Sequence, residues 1–256
     1  MKPNIEKKLK QKQIDILMLL YKFRFLTRNQ IQALLNHKYH SKTLAWLNEL
    51  AKDKYIIRDY NRTLAGKPAV YFLGTNGRKE LIGKENIKTS LLDRVYQEKR
   101  ASQIFRNHCM MIADIYISLL ELIKKHNAKL KFYTKVDLTD IKYLPLPHPD
   151  VYFSIEEKTI TKRYFLEIFD EYPANKWVFK RVQQYFHYYE EQYWQDHNTN
   201  PFPEIIFVYH DLKTKQNLEI MIKRRLEDVG NISFSLISNE QIKLNGLRKE
   251  TLFRVG

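Results

Sequence analysis

Pro149-Asp-Val-Tyr-Phe-Ser-Ile155 and Arg163-Tyr-Phe-Leu-Glu-Ile-Phe169 are two β-rich runs with the polar stretch Glu156-Glu-Lys-Thr159 between them. Aromatic and branched residues bounded by turn signals predict two strands, near 149–155 and 163–169, joined as a hairpin. Strands paired in this way bring opposite residues into contact, so Asp150, opening the first, can stand beside Glu167, inside the second. Working outward, a further strand is expected near 130–136. Before it, Leu92, Val95, Phe105, Cys109, Ile112, Tyr116, Leu119 and Ile123 form one apolar stripe of a long helix. Downstream, a helix over about 174–194 carries Trp177, Val178, Val182, Tyr185 and Tyr189. The continuous apolar run Pro203-Glu-Ile-Ile-Phe-Val-Tyr209 reads as a buried strand. A helix near 213–228 and a strand near 232–237 close the pattern, giving the order αβββαβ with an αβ extension.

That order is similar to the common core of the PD-(D/E)xK nuclease-like fold. Such sites set one carboxylate at a strand start and a second in the next strand. Both bind a hard divalent cation, Mg²⁺ or Mn²⁺, through oxygen, and a lysine two residues on orients or activates water. Asp150 and Glu167 take the carboxylate positions and are the candidate metal ligands. Gln184-Tyr-Phe-His-Tyr188 resembles the QxxxY motif of the exonuclease-type branch, with Gln184 and Tyr188 on one helical face. The lysine position holds Phe169, which can neither hold a water nor offset phosphate charge. Lys176, Lys180 or Arg181 on the next helix is a substitute, and Lys180 is grouped with Asp150, Glu167, Gln184 and Tyr188 as the catalytic candidates. The plainer reading keeps Asp150 as a turn carboxylate and Glu167 as a lysine's partner. His108 is a core or interface histidine by default, although some exonuclease-type members use a histidine on this first helix as a ligand. The aromatic run from Tyr185 to Trp194 fits base stacking or, equally, a packed core with a dimer face.

Residues 1–88 read differently. Ile5, Leu9, Ile14, Leu17 and Leu20 recur at roughly helical spacing, predicting a first helix that ends near Phe23. Thr27-Arg-Asn-Gln30 fits a capping box opening a short second helix with Ile31, Leu34 and Leu35 inward. After the turn at Asn36–His40, Ser41 is the expected cap of a third helix with Leu44, Leu47, Leu50 and Ala51 facing the core. Helix, short turn, helix is the spacing of a helix-turn-helix, whose later helix enters a major groove by its N-terminal end. Tyr55–Tyr60 and Val70–Leu73 then flank a Gly/Pro loop that carries Arg62 and Lys67, a hairpin suited to meet phosphates as a wing. The candidate DNA contacts are therefore Arg28, Lys38, Lys42, Thr43, Arg62 and Lys67.

Charge supports the division. The 256-residue chain carries 44 Lys+Arg against 29 Asp+Glu, a net +15. Residues 1–88 hold 19 basic and 7 acidic groups, a net +12, so the excess that attracts polyanions is concentrated there. The polar link 84–90 leads to expected domains at 1–88 and 89–256. A single cysteine excludes a disulfide framework and a cysteine-based zinc site. With 7 glycines there is no GxGxxG or Walker pattern, and no repeat is evident. The absence of an apolar run of ~18 residues, and of a signal peptide's apolar stretch, gives a cytoplasmic expectation with no membrane partner.

Leu20-Tyr-Lys-Phe-Arg-Phe-Leu-Thr-Arg-Asn-Gln-Ile31, Gly66-Lys-Pro-Ala-Val-Tyr-Phe-Leu73, Pro149-Asp-Val-Tyr-Phe with Phe165-Leu-Glu-Ile, and Lys180–Tyr189 together resemble the replication-relaxation family of plasmid and mobile-element proteins. The resemblance implies a winged helix that grips double-stranded DNA, fused to a nuclease-like domain and acting in replication, relaxation or mobilisation. A homodimer and replication or mobilisation proteins are the partners it suggests. The family often has an acidic residue where Phe169 stands, which favours a site adapted away from hydrolysis. Two alternatives stay open: a Mg²⁺- or Mn²⁺-dependent nickase using Asp150 and Glu167, and a winged-helix transcriptional regulator.

Overall fold

The structure, a computed structural model, describes residues 8–60, 68–171 and 173–255. It is α+β, and its compact units divide at Ala113/Asp114, inside a helix, rather than at the polar link near residue 88.

In the first unit, α1 (Gln11–Phe23) buries Ile16, Leu17 and Leu20; it starts after Leu9, because the chain at its Lys10 cap is extended, and Ile5 lies outside the described residues. The two-residue β1 (Leu26–Thr27) leads into α2 (Arg28–Leu34), whose Thr27 cap accepts from Gln30 N while Gln30 Oε1 accepts from Thr27 N, as the capping-box spacing predicts. Helix α3 (His40–Lys52) starts at Tyr39, which makes no side-chain cap, so Ser41 is not the cap. The wing strands β2 (Ile56–Asp59) and β3 (Val70–Leu73) pair antiparallel, and β1 adds to the far side of β3 to give the order β1-β3-β2. Helix α4 (Thr75–Leu81) follows, and close approach dictates one of its residues. A Cβ at Gly77 would lie 2.1 Å from Tyr55 O.

The single long helix expected next is two: α5 (Thr89–Gln97), then a 3₁₀ turn at Glu98–Arg100, then α6 (Gln103–His126). The apolar stripe runs across the break, which is why periodicity alone merges them. Residues 89–113 join the winged helix through ion pairs of Arg78 with Asp93, Arg24 with Glu98 and Arg106 with Asp59. Phe25, Phe72 and Cys109 make a small buried cluster there, and Gln30 Nε2 donates to Met110 O at 2.9 Å. Those contacts explain the later boundary.

The second unit takes the remaining half of α6 and a six-stranded sheet. β4 (Lys129–Thr134) leads to the single-turn α7 (Lys135–Leu138), then to the hairpin β5 (Val151–Glu157) and β6 (Ile160–Ile168). Helix α8 (Asn175–Glu190) and the short α9 (Tyr193–His197) cross to β7 (Glu204–Tyr209); α10 (Leu212–Val229) crosses to β8 (Phe234–Ser238). The sequence pattern had ended there, but α11 (Asn239–Asn245) and β9 (Phe253–Val255) follow. Strand order is β4-β5-β6-β7-β8-β9, antiparallel at both edges and parallel through β6-β7-β8. This is the αβββαβ core of the PD-(D/E)xK-like fold with its αβ extension. Phe165, Phe169, Tyr185, Phe186, Trp194, Phe207 and Phe234 fill the core between the sheet and α8 and α10. Among the described residues no helix is long and apolar enough to cross a membrane.

Candidate nucleic-acid interface and nuclease-like site

In the first unit, Thr43, Leu47 and Leu50 are the buried face of α3. Thr43 lies four residues before Leu47 on that stripe and is fully buried, so it is corrected from DNA contact to core residue. The exposed positions of the helix are His40, Ser41, Lys42, Ala45, Asn48 and Lys52, preceded by exposed Lys38 and Tyr39. Glu49 is the only acidic residue from Arg28 to Lys52, and its carboxylate is held by Gln13 Nε2 at 2.9 Å. Among the described residues the outward face of α3 thus carries cations and hydrogen-bonding groups, and the carboxylate of its own helix is tied to Gln13. The Lys38 ammonium sits over the Tyr39 ring, and the His37 ring packs edge-on against Trp46. Arg28, half-buried, donates to Asn29 Oδ1 at 3.1 Å and stands at the first turn of α2. Asn29, Gln32, Asn36, His37 and Lys38 line a groove beside it. Arg62 and Lys67 lie outside the described residues.

The second unit assembles its carboxylates through strand register. Val151 pairs with Leu166, which puts Asp150 opposite Glu167 at the mouth of the β5–β6 hairpin. They are 3 % and 2 % exposed, so each needs a partner for its charge. Asp150 Oδ1 accepts from Lys135 Nζ at 2.5 Å and Oδ2 accepts from Ile168 N at 2.8 Å. Glu167 Oε1 accepts from the Arg181 guanidinium and from the Tyr185 hydroxyl, the latter at 2.5 Å. Arg181 and Tyr185 are one helical turn apart on α8, a spacing that aims both at the same strand. The guanidinium also donates to Pro147 O at 2.6 Å, Gln184 Oε1 at 2.5 Å and His148 O at 3.1 Å.

Electrostatics follow the geometry. Burial alone would lower the Arg181 pKa, but Glu167 outweighs it and the guanidinium is held protonated more firmly than usual. Burial likewise works against charge on Lys135, and Asp150 with Glu167 reverses it, leaving the ammonium above its ordinary range. Burial favours protonation of Glu167, and Arg181 opposes it. Burial and the Glu167 charge push the Tyr185 hydroxyl well up, keeping it a donor. His148 is shifted down, chiefly by burial.

The other candidates are placed as follows. Phe169 is fully buried, edge-on to Trp177 and tilted against Phe207, so the lysine position is core. Lys180 is exposed, and the cation on Glu167 is its neighbour Arg181. Lys135, which the sequence reading did not consider, supplies the ammonium. Its signal was available in Thr134-Lys-Val-Asp137, a capping box that turns the chain directly after β4. Gln184 donates to Pro147 O at 3.2 Å and Tyr188 to Tyr143 O at 2.8 Å, so the QxxxY pair grips the loop before β5. His108 belongs to the first unit.

The donor set can be tested against a divalent cation. Among the described residues no group of three His, Cys, Asp or Glu side chains converges as a metal site. The two carboxylates present are matched by one ammonium and one guanidinium, so an added divalent ion would leave a surplus of two positive charges beside the buried carboxylates. Mg²⁺ or Mn²⁺ does not fit this arrangement. A separate cavity of about 420 Å³ is lined by Leu119, Ile123, Phe153, Ile155, Tyr164 and Leu252, among others. Phe153 and Tyr164 alternate with Asp150 and Glu167 along their strands, so the cavity lies on the opposite sheet face.

Comparisons with known proteins complete the picture. No curated protein sequence matches the chain. Among solved structures, MepR, a transcription regulator of the Staphylococcus aureus multidrug efflux pump MepA, is similar at 21% identity and TM-score 0.26, covering 46% of this chain and 80% of MepR. The restriction endonuclease FokI is similar at 12% identity and TM-score 0.34, over 93% of this chain and 46% of its own. FokI bound to DNA gives 14% identity and TM-score 0.29, over 93% of this chain and 45% of its own. The chain spans under half the length of FokI. The Replication-relaxation family profile matches residues 17–205, most of the sequence, and the chain belongs to that family.

Proposed function

We propose that the protein is a duplex-DNA-binding accessory factor in plasmid or mobile-element replication, relaxation or mobilisation. Its winged helix grips the duplex, and its nuclease-like domain is a scaffold that does not cut. The observation that carries the DNA half of this reading is the outward face of α3, where His40, Ser41, Lys42, Asn48 and Lys52 are exposed and Glu49, the one acidic residue of the helix, is held by Gln13. Lysines there neutralise phosphates and release counterions, and short polar side chains can reach base edges in a major groove. What supports the non-cutting half is chemistry: hydrolysis needs a water activated beside a metal or a free base. Here both carboxylates are engaged by cations and the lysine position is a packed phenyl ring.

Family membership supports replication over transcription as the setting. The test is competitive binding of the purified protein to duplexes from a replication or transfer origin and to promoter duplexes of equal length. Preference for the origin duplex is expected. Preference for promoter DNA alone would replace the reading with a transcriptional regulator.

A further inference from the structure

The misfit between the carboxylate pair and a divalent ion has a specific cause. Arg181 is 4 % exposed and Glu167 2 % exposed, so their ion pair is closed off from water. The guanidinium is also fixed from other sides, by the carbonyl oxygens of Pro147 and His148 and by Gln184 Oε1. A side chain held by that many partners is a structural fixture. Tyr185 donates to the same Glu167 oxygen from one turn further along α8, so two groups of that helix lie where a metal would have to approach it. A guanidinium does not lose its proton in proteins, which means that no ordinary change of pH vacates the position. A hard divalent ion binding Glu167 through this oxygen must displace that cation.

We propose that Arg181 is the site's built-in cation: its guanidinium takes over the charge-neutralising role of a divalent metal and excludes that metal. The carboxylates keep their places, so removing the guanidinium converts the cluster into a divalent-cation site formed by Asp150 and Glu167. Lys135 stays on Asp150 and limits the affinity of the site. The inference rests on the reading of the nuclease-like domain as a scaffold that does not cut.

The experiment is Mn²⁺ titration followed by electron paramagnetic resonance, on the full-length wild type, Arg181→Ala, and Arg181→Ala combined with Glu167→Gln. Thermal melts with and without Mn²⁺ run in parallel. Wild type is expected to show no saturable Mn²⁺ binding that depends on Asp150. Arg181→Ala is expected to melt lower without metal, to gain one saturable site at least ~10-fold tighter than any wild-type binding, and to be restabilised by Mn²⁺. The gain disappears in the double variant. Saturable Mn²⁺ binding by wild type that is lost in Asp150→Asn would overturn the proposal. So would a folded Arg181→Ala that gains no site, or an unfolded one that Mn²⁺ does not rescue. Occupancy is read separately from cleavage. DNA nicking by a wild type with no Mn²⁺ site would defeat the non-cutting reading alone, and Mn²⁺ at Asp150 in a protein that does not nick would defeat this inference and leave the non-cutting reading standing.

Discussion

Replacing Lys38 and Lys42 together by alanine removes two exposed cations, one just before α3 and one in its first turn, without touching its buried stripe of Thr43, Leu47 and Leu50. Both side chains are exposed and neither forms part of the core, so the fold is expected to be unchanged and the effect to fall on DNA alone. If each lysine neutralises one phosphate, the log–log dependence of affinity on salt loses about 0.9 per residue, so its slope becomes shallower by about 1.8. At 0.1 M salt the same relation makes the loss about 1.8 decades, roughly 60-fold in affinity or ~2.5 kcal/mol. Fluorescence anisotropy of a labelled duplex between 0.05 and 0.3 M salt (on the order of the range where such contacts are measured) gives slope and affinity together. Lys129, exposed on β4 of the second unit, is the control, and its alanine variant should leave the slope as it is. An unchanged slope in Lys38→Ala/Lys42→Ala, or an equal change in Lys129→Ala, would refute the assignment of the duplex to this face.

Other perturbations probe the scaffold. Phe169→Lys restores the sequence motif but buries an ammonium against Trp177 and Phe207; a loss of about 3–5 kcal/mol by urea denaturation is expected, with no gain of cleavage. Gly77→Ala forces a Cβ to within 2.1 Å of Tyr55 O, and backbone cannot yield cheaply, so a loss of about 3 kcal/mol or more is expected by the same assay. Alkaline pH tests the donors held above their ordinary pKa values. Lys135 and the hydroxyls of Tyr185 and Tyr188 all have folded pKa values above their unfolded ones, and burial pushes Tyr164 up to about 12. Such groups stabilise fully below their unfolded values, near 10, and that contribution is lost as pH rises towards the folded ones. Tyrosinate absorbance is therefore expected to show a late class that ionises together with unfolding. A single transition near pH 10, with the fold intact, would contradict those burials.

The winged helix was legible because its signals are local. The Thr27–Gln30 capping box, the short turn and the two β-rich runs each act over a few residues, and α2, the wing strands and the end of α1 fall where those signals put them, although α1 begins at Gln11, after Leu9. Thr43 was misplaced because a small polar residue on a helix reads as surface, whereas the buried stripe starts one residue earlier than Leu44. The break between α5 and α6 contains neither glycine nor proline, so nothing in the local pattern marks it. In the nuclease-like unit the hairpin register made the Asp150–Glu167 pairing readable, while the cations were harder. Lys135 reaches Asp150 only because α7 turns the chain back after β4, a tertiary fact. Arg181 stood among three basic candidates on α8, and its i, i+4 relation to Tyr185 is the feature that distinguishes it from Lys176 and Lys180. The C-terminal β9 is three residues long and paired only to β8, too short for any periodicity to reveal.

The closed carboxylate cluster is tested most directly by incubating the purified wild-type protein with supercoiled plasmid and Mn²⁺ and following conversion to nicked circles. The expected result is plasmid that stays supercoiled while still being bound and shifted. Nicking that scales with protein and vanishes in Asp150→Asn and Glu167→Gln would show that Arg181 and Lys135 leave room for hydrolysis, and would contradict it.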